Sequence, residues 1–119
     1  MAITRLEVEA EIPTWAWSQG WASVSRTADE LSIVHSWEFS ADGGRRSGPW
    51  RMLSVEGPLA DDLIGVLLTL LEPLARVGVP VFVISTFDTD HVLVPSGRLE
   101  EAVAALTGAG HQIVPRPEG

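Results

Sequence analysis

Residues 40–49, Ser-Ala-Asp-Gly-Gly-Arg-Arg-Ser-Gly-Pro, carry three glycines, one proline and no large apolar side chain. That composition interrupts any regular element built across it. In a chain of 119 residues the break leaves two small modules, over 1–49 and 50–119, and no room for a third. Apolar residues make up 45% and charged residues 20%, with mean hydropathy +0.18, so the chain should bury a core rather than stay disordered. It contains no cysteine, which excludes disulfides, thiolate zinc sites and a cysteine nucleophile.

Sixteen acidic residues face eight basic ones, all arginine, for a net charge of -8. A surface of that sign repels phosphate backbones and anionic membranes, so no nucleic-acid or membrane partner is expected. The start of the chain, Met-Ala-Ile-Thr-Arg-Leu-Glu, lacks the basic segment and apolar run of a secretory signal, so the expected location is cytoplasmic. The most apolar stretch, 63–84, is interrupted by Glu72, Pro73, Arg76 and Pro80 and reads as no membrane span.

Before the break, Leu6, Val8, Ala10 and Ile12 alternate with Glu7, Glu9 and Glu11, the period of a half-buried strand. Pro13 and Thr14 then open a short helical turn ending before Gly20. Strands are expected over 21–26 and 30–37, joined tightly through Thr27, Ala28 and Asp29. After the break, 50–56 reads as a strand stopped by Gly57-Pro58. From Asp61 to Val77, apolar residues recur at three and four, marking one face of a helix. Its N-terminus would be favoured by Asp61 and Asp62, and Gly78 would stop it. Pro73 lies inside it and frees the Thr69 carbonyl, so a kink or early end is expected. A buried strand over 79–84, a polar turn at 88–90 and a returning strand over 91–94 follow. Ser96 would cap a second helix with Leu99, Ala102, Val103 and Leu106 on its apolar face, ending at Gly108 and Gly110, and 111–114 would form a last strand.

The second module is thus strand, helix, strand, strand, helix, strand. Crossover rules fold that order into an α+β ferredoxin-like plait, an antiparallel sheet with helices on one face. The first module repeats the order as far as its third strand.

With Gly65-Val66-Leu67 early in the first helix and Gly78-Val79 before the next strand, the second module resembles an ACT domain. The segments Trp21–Val34, Val55-Glu56-Gly57-Pro58-Leu59 and Ile84–Val94 resemble small bacterial tandem-ACT proteins. Ser85-Thr86-Phe87 and Asp90-His91, followed by Leu93-Val94-Pro95, are similar to the CASTOR cytosolic arginine sensors of the TOR kinase pathway. The resemblance implies a truncated ACT-like βαββ module over 1–49 and a complete ACT (βαββαβ) domain over 50–119. It also implies a non-catalytic, regulatory amino-acid-binding protein without a cofactor, its ligand held where two ACT units meet. By position it points to Thr86, Phe87, Thr89 and Asp90 and to the loop from Gly57 to Asp62. Thr89 stands where the sensors carry an aromatic residue, and either Asp61 or Asp62 stands for their acidic residue, so ligand identity does not transfer.

Chemistry reaches the same corner. An amino acid needs a carboxylate for its ammonium and backbone N–H groups for its own carboxylate. The Gly57-Pro58 loop would supply the donors, and Asp88 or Asp90 the acceptor. Against this, Asp88 and Asp90 suit turns, and Asp61 and Asp62 suit a helix start, without any ligand. Asp88, Asp90 and His91 are close in sequence, but strand alternation sends Asp90 and His91 to opposite faces, which opposes a metal site. No hydrolase elbow, phosphate loop or metalloprotease motif is present. Trp15, Trp17, Trp21, Trp37 and Trp50 all fall in the first 50 residues. They are expected to fill the core of the first module, or to line a pocket or a homodimer face. A protein retained as a dimerisation or interaction module, with a vestigial pocket, is the competing reading.

Overall fold

The computed structural model describes residues 1–17, 20–41, 43–56 and 65–114. Two units emerge, Met1–Trp50 and Arg51–Gly119.

In the first unit, β1 spans Ala2–Leu6, with Ala2, Thr4 and Leu6 buried, rather than the expected Leu6–Ile12. Residues 7–12 of that alternation lie in a loop. Ala10 N–H donates to Glu7 C=O (3.0 Å), and the Arg26 guanidinium donates to the carbonyls of Val8 and, at 2.9 Å, Ala10. Ala10 and Ile12 still face the core, which is all that period-two burial reports. A 3₁₀ turn, Thr14–Trp17, follows.

Strands β2 (Ser23–Arg26) and β3 (Leu31–His35) form the expected hairpin. Thr27 closes it: its N–H donates to Glu30 C=O (2.9 Å), and its hydroxyl accepts the N–H groups of Asp29 and Glu30. The break expected over 40–49 contains a strand, β4 (Arg45–Ser47), paired antiparallel with β1. All its side chains are exposed, so it has no hydrophobic pattern to read, and charged residues suit an edge strand. The sheet order is β2-β3-β1-β4. Leu6, Ala16, Leu31 and Ile33 form its buried cluster, with Trp15 packed against them.

Trp15 meets the expectation of core filling, packing against the buried cluster of the first unit. Trp17 is 67% exposed, and Trp37 is 42% exposed with the Arg46 guanidinium 3.7 Å above its ring. Trp15 stacks on Phe39 (5.4 Å between centroids) and tilts against His35 (4.5 Å). His35 is buried. Its Nδ1 lies 2.8 Å from Ser36 C=O, which only accepts, so Nδ1 carries the proton. Nε2 then accepts the Thr4 hydroxyl (2.7 Å). Desolvation is the larger influence and holds the imidazole below its ordinary 6.5, against the opposing Ser36 bond.

In the second unit, β5 (Trp50–Ser54, starting at the last residue of the first unit), β6 (Phe82–Ser85) and β7 (Asp90–Pro95) are ordered β5-β7-β6, with α1 (Val66–Arg76) and α2 (Leu99–Gly108) as the long helices. Leu74, Val79, Val92, Val94, Ala102 and Leu106 make the buried cluster. The described part of α1 begins after Gly65; Asp61 and Asp62, expected at its start, lie outside the described residues. The helix continues through Pro73 to Arg76. The Thr69 carbonyl that Pro73 leaves without a helical partner accepts His111 Nε2–H at 2.8 Å.

Both helices end in the same two-bond cap. Gly78 N–H reaches Ala75 C=O and Val79 N–H reaches Leu74 C=O; Gly110 N–H reaches Thr107 C=O and His111 N–H reaches Leu106 C=O, all at 3.0 Å. The glycines, at φ 71 and 99, take the left-handed position that this cap demands. Ser96 does not cap α2 with its side chain. It opens a 3₁₀ turn, Ser96–Arg98, that feeds the helix. Arg98 instead donates to the carbonyls of Val77 (3.2 Å) and Gly78 (2.6 Å) and pairs with Glu101, whose carboxyl that contact holds below its ordinary value. Residues 111–114, expected as a last strand, pair with no strand. The His111 backbone and ring are committed to α2 and α1. No helix among the described residues is long and apolar enough to cross a membrane.

Candidate functional site

The β6–β7 turn collects five of the residues singled out in the sequence. Thr86 N–H donates to Thr89 C=O (2.8 Å), closing a four-residue turn, and the Thr86 hydroxyl reaches the same carbonyl at 3.2 Å. Phe87, 91% exposed, and Asp88 occupy the tip. Asp90 pairs with Ser85 across the ladder and accepts its hydroxyl on Oδ1 (2.6 Å).

Two contacts tie this turn to the end of β5. The Thr89 hydroxyl donates to Val55 C=O (2.7 Å), and Val55 N–H donates to Asp90 C=O (3.0 Å). Val55 and Ser85 are the participants that sequence reasoning missed. Ser85 was legible in principle, because a turn over 86–89 makes 85 and 90 cross-strand partners. Gly57, Asp61 and Asp62 lie outside the described residues.

His91 is next to Asp90 but serves a different partner: its Nδ1 lies 2.7 Å from the Ser54 hydroxyl. Among the described residues, no group of three or more histidines and carboxylates could hold a metal ion. The turn offers the Asp88 carboxylate, the second oxygen of Asp90 and an aromatic ring. It could accept an ammonium group and cover an apolar portion. Elsewhere in the first unit, a cavity of about 350 Å³ opens beside Trp15, lined also by Leu6, Ala10, Glu11, Pro13, Ser40 and Ala41.

The strand and helix order of the second unit is that of an α+β plait. A family model described as ACT domain matches residues 46–108, more than half of the chain, and the chain belongs to that family. A second model, described as an N-terminal domain, matches residues 1–39. Over 58 residues the chain is 43% identical to a Rattus norvegicus protein named cytosolic arginine sensor for mTORC1 subunit 1, covering 48% of this chain and 18% of that one. The Mus musculus protein of the same name is 41% identical over 51 residues, 42% of this chain and 15% of that one. The matched stretch is thus a small part of either relative. A crystal structure of an Agrobacterium tumefaciens protein is similar throughout, with TM-score 0.90, 38% identity and coverage of 98% of this chain and 87% of that chain. A Vibrio cholerae protein shares the fold at TM-score 0.69 and 17% identity, over 92% and 84% of the two chains.

Proposed function

We propose that this ACT-family chain is a non-catalytic regulatory protein. In this reading it is a cytoplasmic tandem of a truncated ACT-like module, 1–49, and a complete ACT domain, 50–119. It binds a free amino acid or similar small metabolite at the β6–β7 turn and relays occupancy to a partner. Asp88 or Asp90 would accept the ammonium, Thr86, Phe87 and Thr89 would shape the site, and the loop carrying Gly57, Asp61 and Asp62 would complete it. The supporting observation is the pair of bonds from Val55 to Thr89 and Asp90, which brings the chain leading into that loop to the turn. The likeness to proteins named as arginine sensors supports the ligand class.

A ligand of about ten heavy atoms binding at micromolar affinity already gains roughly 8 kcal/mol. Micromolar to millimolar affinity is therefore expected. Calorimetry and thermal shift across the twenty amino acids test this, and no stabilisation by any of them at several millimolar would sink it. For a confirmed ligand, Asp90→Ala should weaken binding about tenfold or more, while Ser85→Ala, which keeps the carboxylate, should not.

A second reading is a dimerisation or interaction module with a vestigial pocket. It is favoured by the Asp90 carboxylate already accepting Ser85 and by the exposed Phe87 ring, a natural interface anchor. Concentration-dependent sedimentation of the wild type and of Phe87→Ser separates the two.

A further inference from the structure

Among the described residues β5 lies at the edge of its sheet, with its first residue, Trp50, exchanging backbone hydrogen bonds with Met1 at 2.8 Å each way. Val55 donates its N–H to Asp90, and so turns its backbone groups towards the β7 side. In an antiparallel pair, the preceding residue turns its own groups the other way. Ser54 therefore aims its N–H and C=O away from β7, on the side where a fourth strand would pair. Residues 111–114 do not pair there, because His111 is held by its backbone to Leu106 and by its ring to Thr69.

Between β5 and residues 111–113 is a cavity of about 160 Å³. Leu53, Leu70, Leu74, Val92, Leu106 and Ile113 supply its apolar wall. Leu74, Val92 and Leu106 are fully buried, whereas Glu56 and Gln112, which also line it, are exposed. The cavity thus runs from an apolar interior to a polar mouth. A cavity of about 150 Å³ accommodates benzene, so this one has room for an apolar group of comparable bulk. The outward N–H and C=O of Ser54 call for a head group that both accepts and donates, as a strand would. Glu56 and the net charge of -8 disfavour an anionic head.

We propose that this cavity is a second binding site, taking a small neutral molecule with an aliphatic body and an amide head that pairs with the Ser54 backbone. It lies across β5 from the β6–β7 turn and does not depend on ligand binding there.

Backbone-amide NMR titration of the full chain with hexanamide, against hexanoate, tests the site. Hexanamide should bind in the millimolar range and shift Ser54, Leu106, Gln112 and Ile113, and hexanoate should bind more weakly. Ile113→Trp and Leu70→Phe, which fill the cavity from different sides, should each weaken hexanamide by about tenfold, while Asp90→Ala should leave it unchanged. The proposal is overturned by an unshifted spectrum, by shifts confined to 86–90, or by hexanoate binding as well as hexanamide. Undiminished binding in whichever filling variant retains native dispersion also overturns it, as does strong exchange protection of the Ser54 N–H in the free chain.

Discussion

The two units arrange their strands alike and cover them differently. The first unit orders its sheet β2-β3-β1-β4, and the second orders β6-β7-β5, the same succession without a fourth strand among the described residues. The first has four strands, one 3₁₀ turn and no α-helix among its described residues, with Trp15 laid over the sheet. The second has, among its described residues, three strands, one 3₁₀ turn and two α-helices, whose Leu74, Ala102 and Leu106 provide the cover. A sheet face needs apolar area above it, and either a helix or a large ring can supply it.

The comparison can be tested from its largest expected effect downward. Leu74→Ala removes a buried side chain from the helix-covered core and should cost about 2–5 kcal/mol in chemical denaturation. Trp15→Ala should cost about 3 kcal/mol, whereas exposed Trp17→Ala should stay within about 0.5 kcal/mol; equal effects would show that Trp15 is not the lid of the first unit. Gly110→Ala places a side chain at φ 99 with nothing within 4 Å of its Cβ, so the expected cost of about 1–2 kcal/mol is backbone strain alone.

His111→Ala frees the Thr69 carbonyl and should cost about 1 kcal/mol. Pro73→Ala restores a helical N–H for that carbonyl, so the double variant should lose less than the sum, which a double-mutant cycle measures. The smallest effect is in pH. Burial holds His35 below 6.5 in the folded chain, while the unfolded chain binds its proton near 6.5. The His35 contribution is complete above about pH 6.5 and declines as pH falls through the lowered value. Denaturation of His35→Gln between neutral and mildly acidic pH should show a shallower decline than the wild type.

Much of this was legible in the chain. The three-and-four spacing along α1, the glycines at 78 and 110 and the polar turn between β6 and β7 each carry a local physical signature. So does the carbonyl at Thr69, which Pro73 strips of its helical partner. Strand β4 was not legible, because an exposed edge strand of Arg45, Arg46 and Ser47 has no apolar period. The alternation at 6–12 misled for the converse reason: a loop pinned by Arg26 can present alternate residues to a core without being a strand. At the turn, the sequence named Thr86, Phe87, Asp88, Thr89 and Asp90 but not Val55 or Ser85, whose roles arise from register.

The sequence alone determined the helix faces, their glycine stops, the hairpins and the ACT resemblance, because these rest on spacing and on the conformational limits of single residues. Tertiary structure decided which strands reached a ladder and where His111 found its partner. It also left Ser54 of β5 without a neighbouring strand among the described residues, because those outcomes depend on hydrogen bonds between residues far apart in the chain.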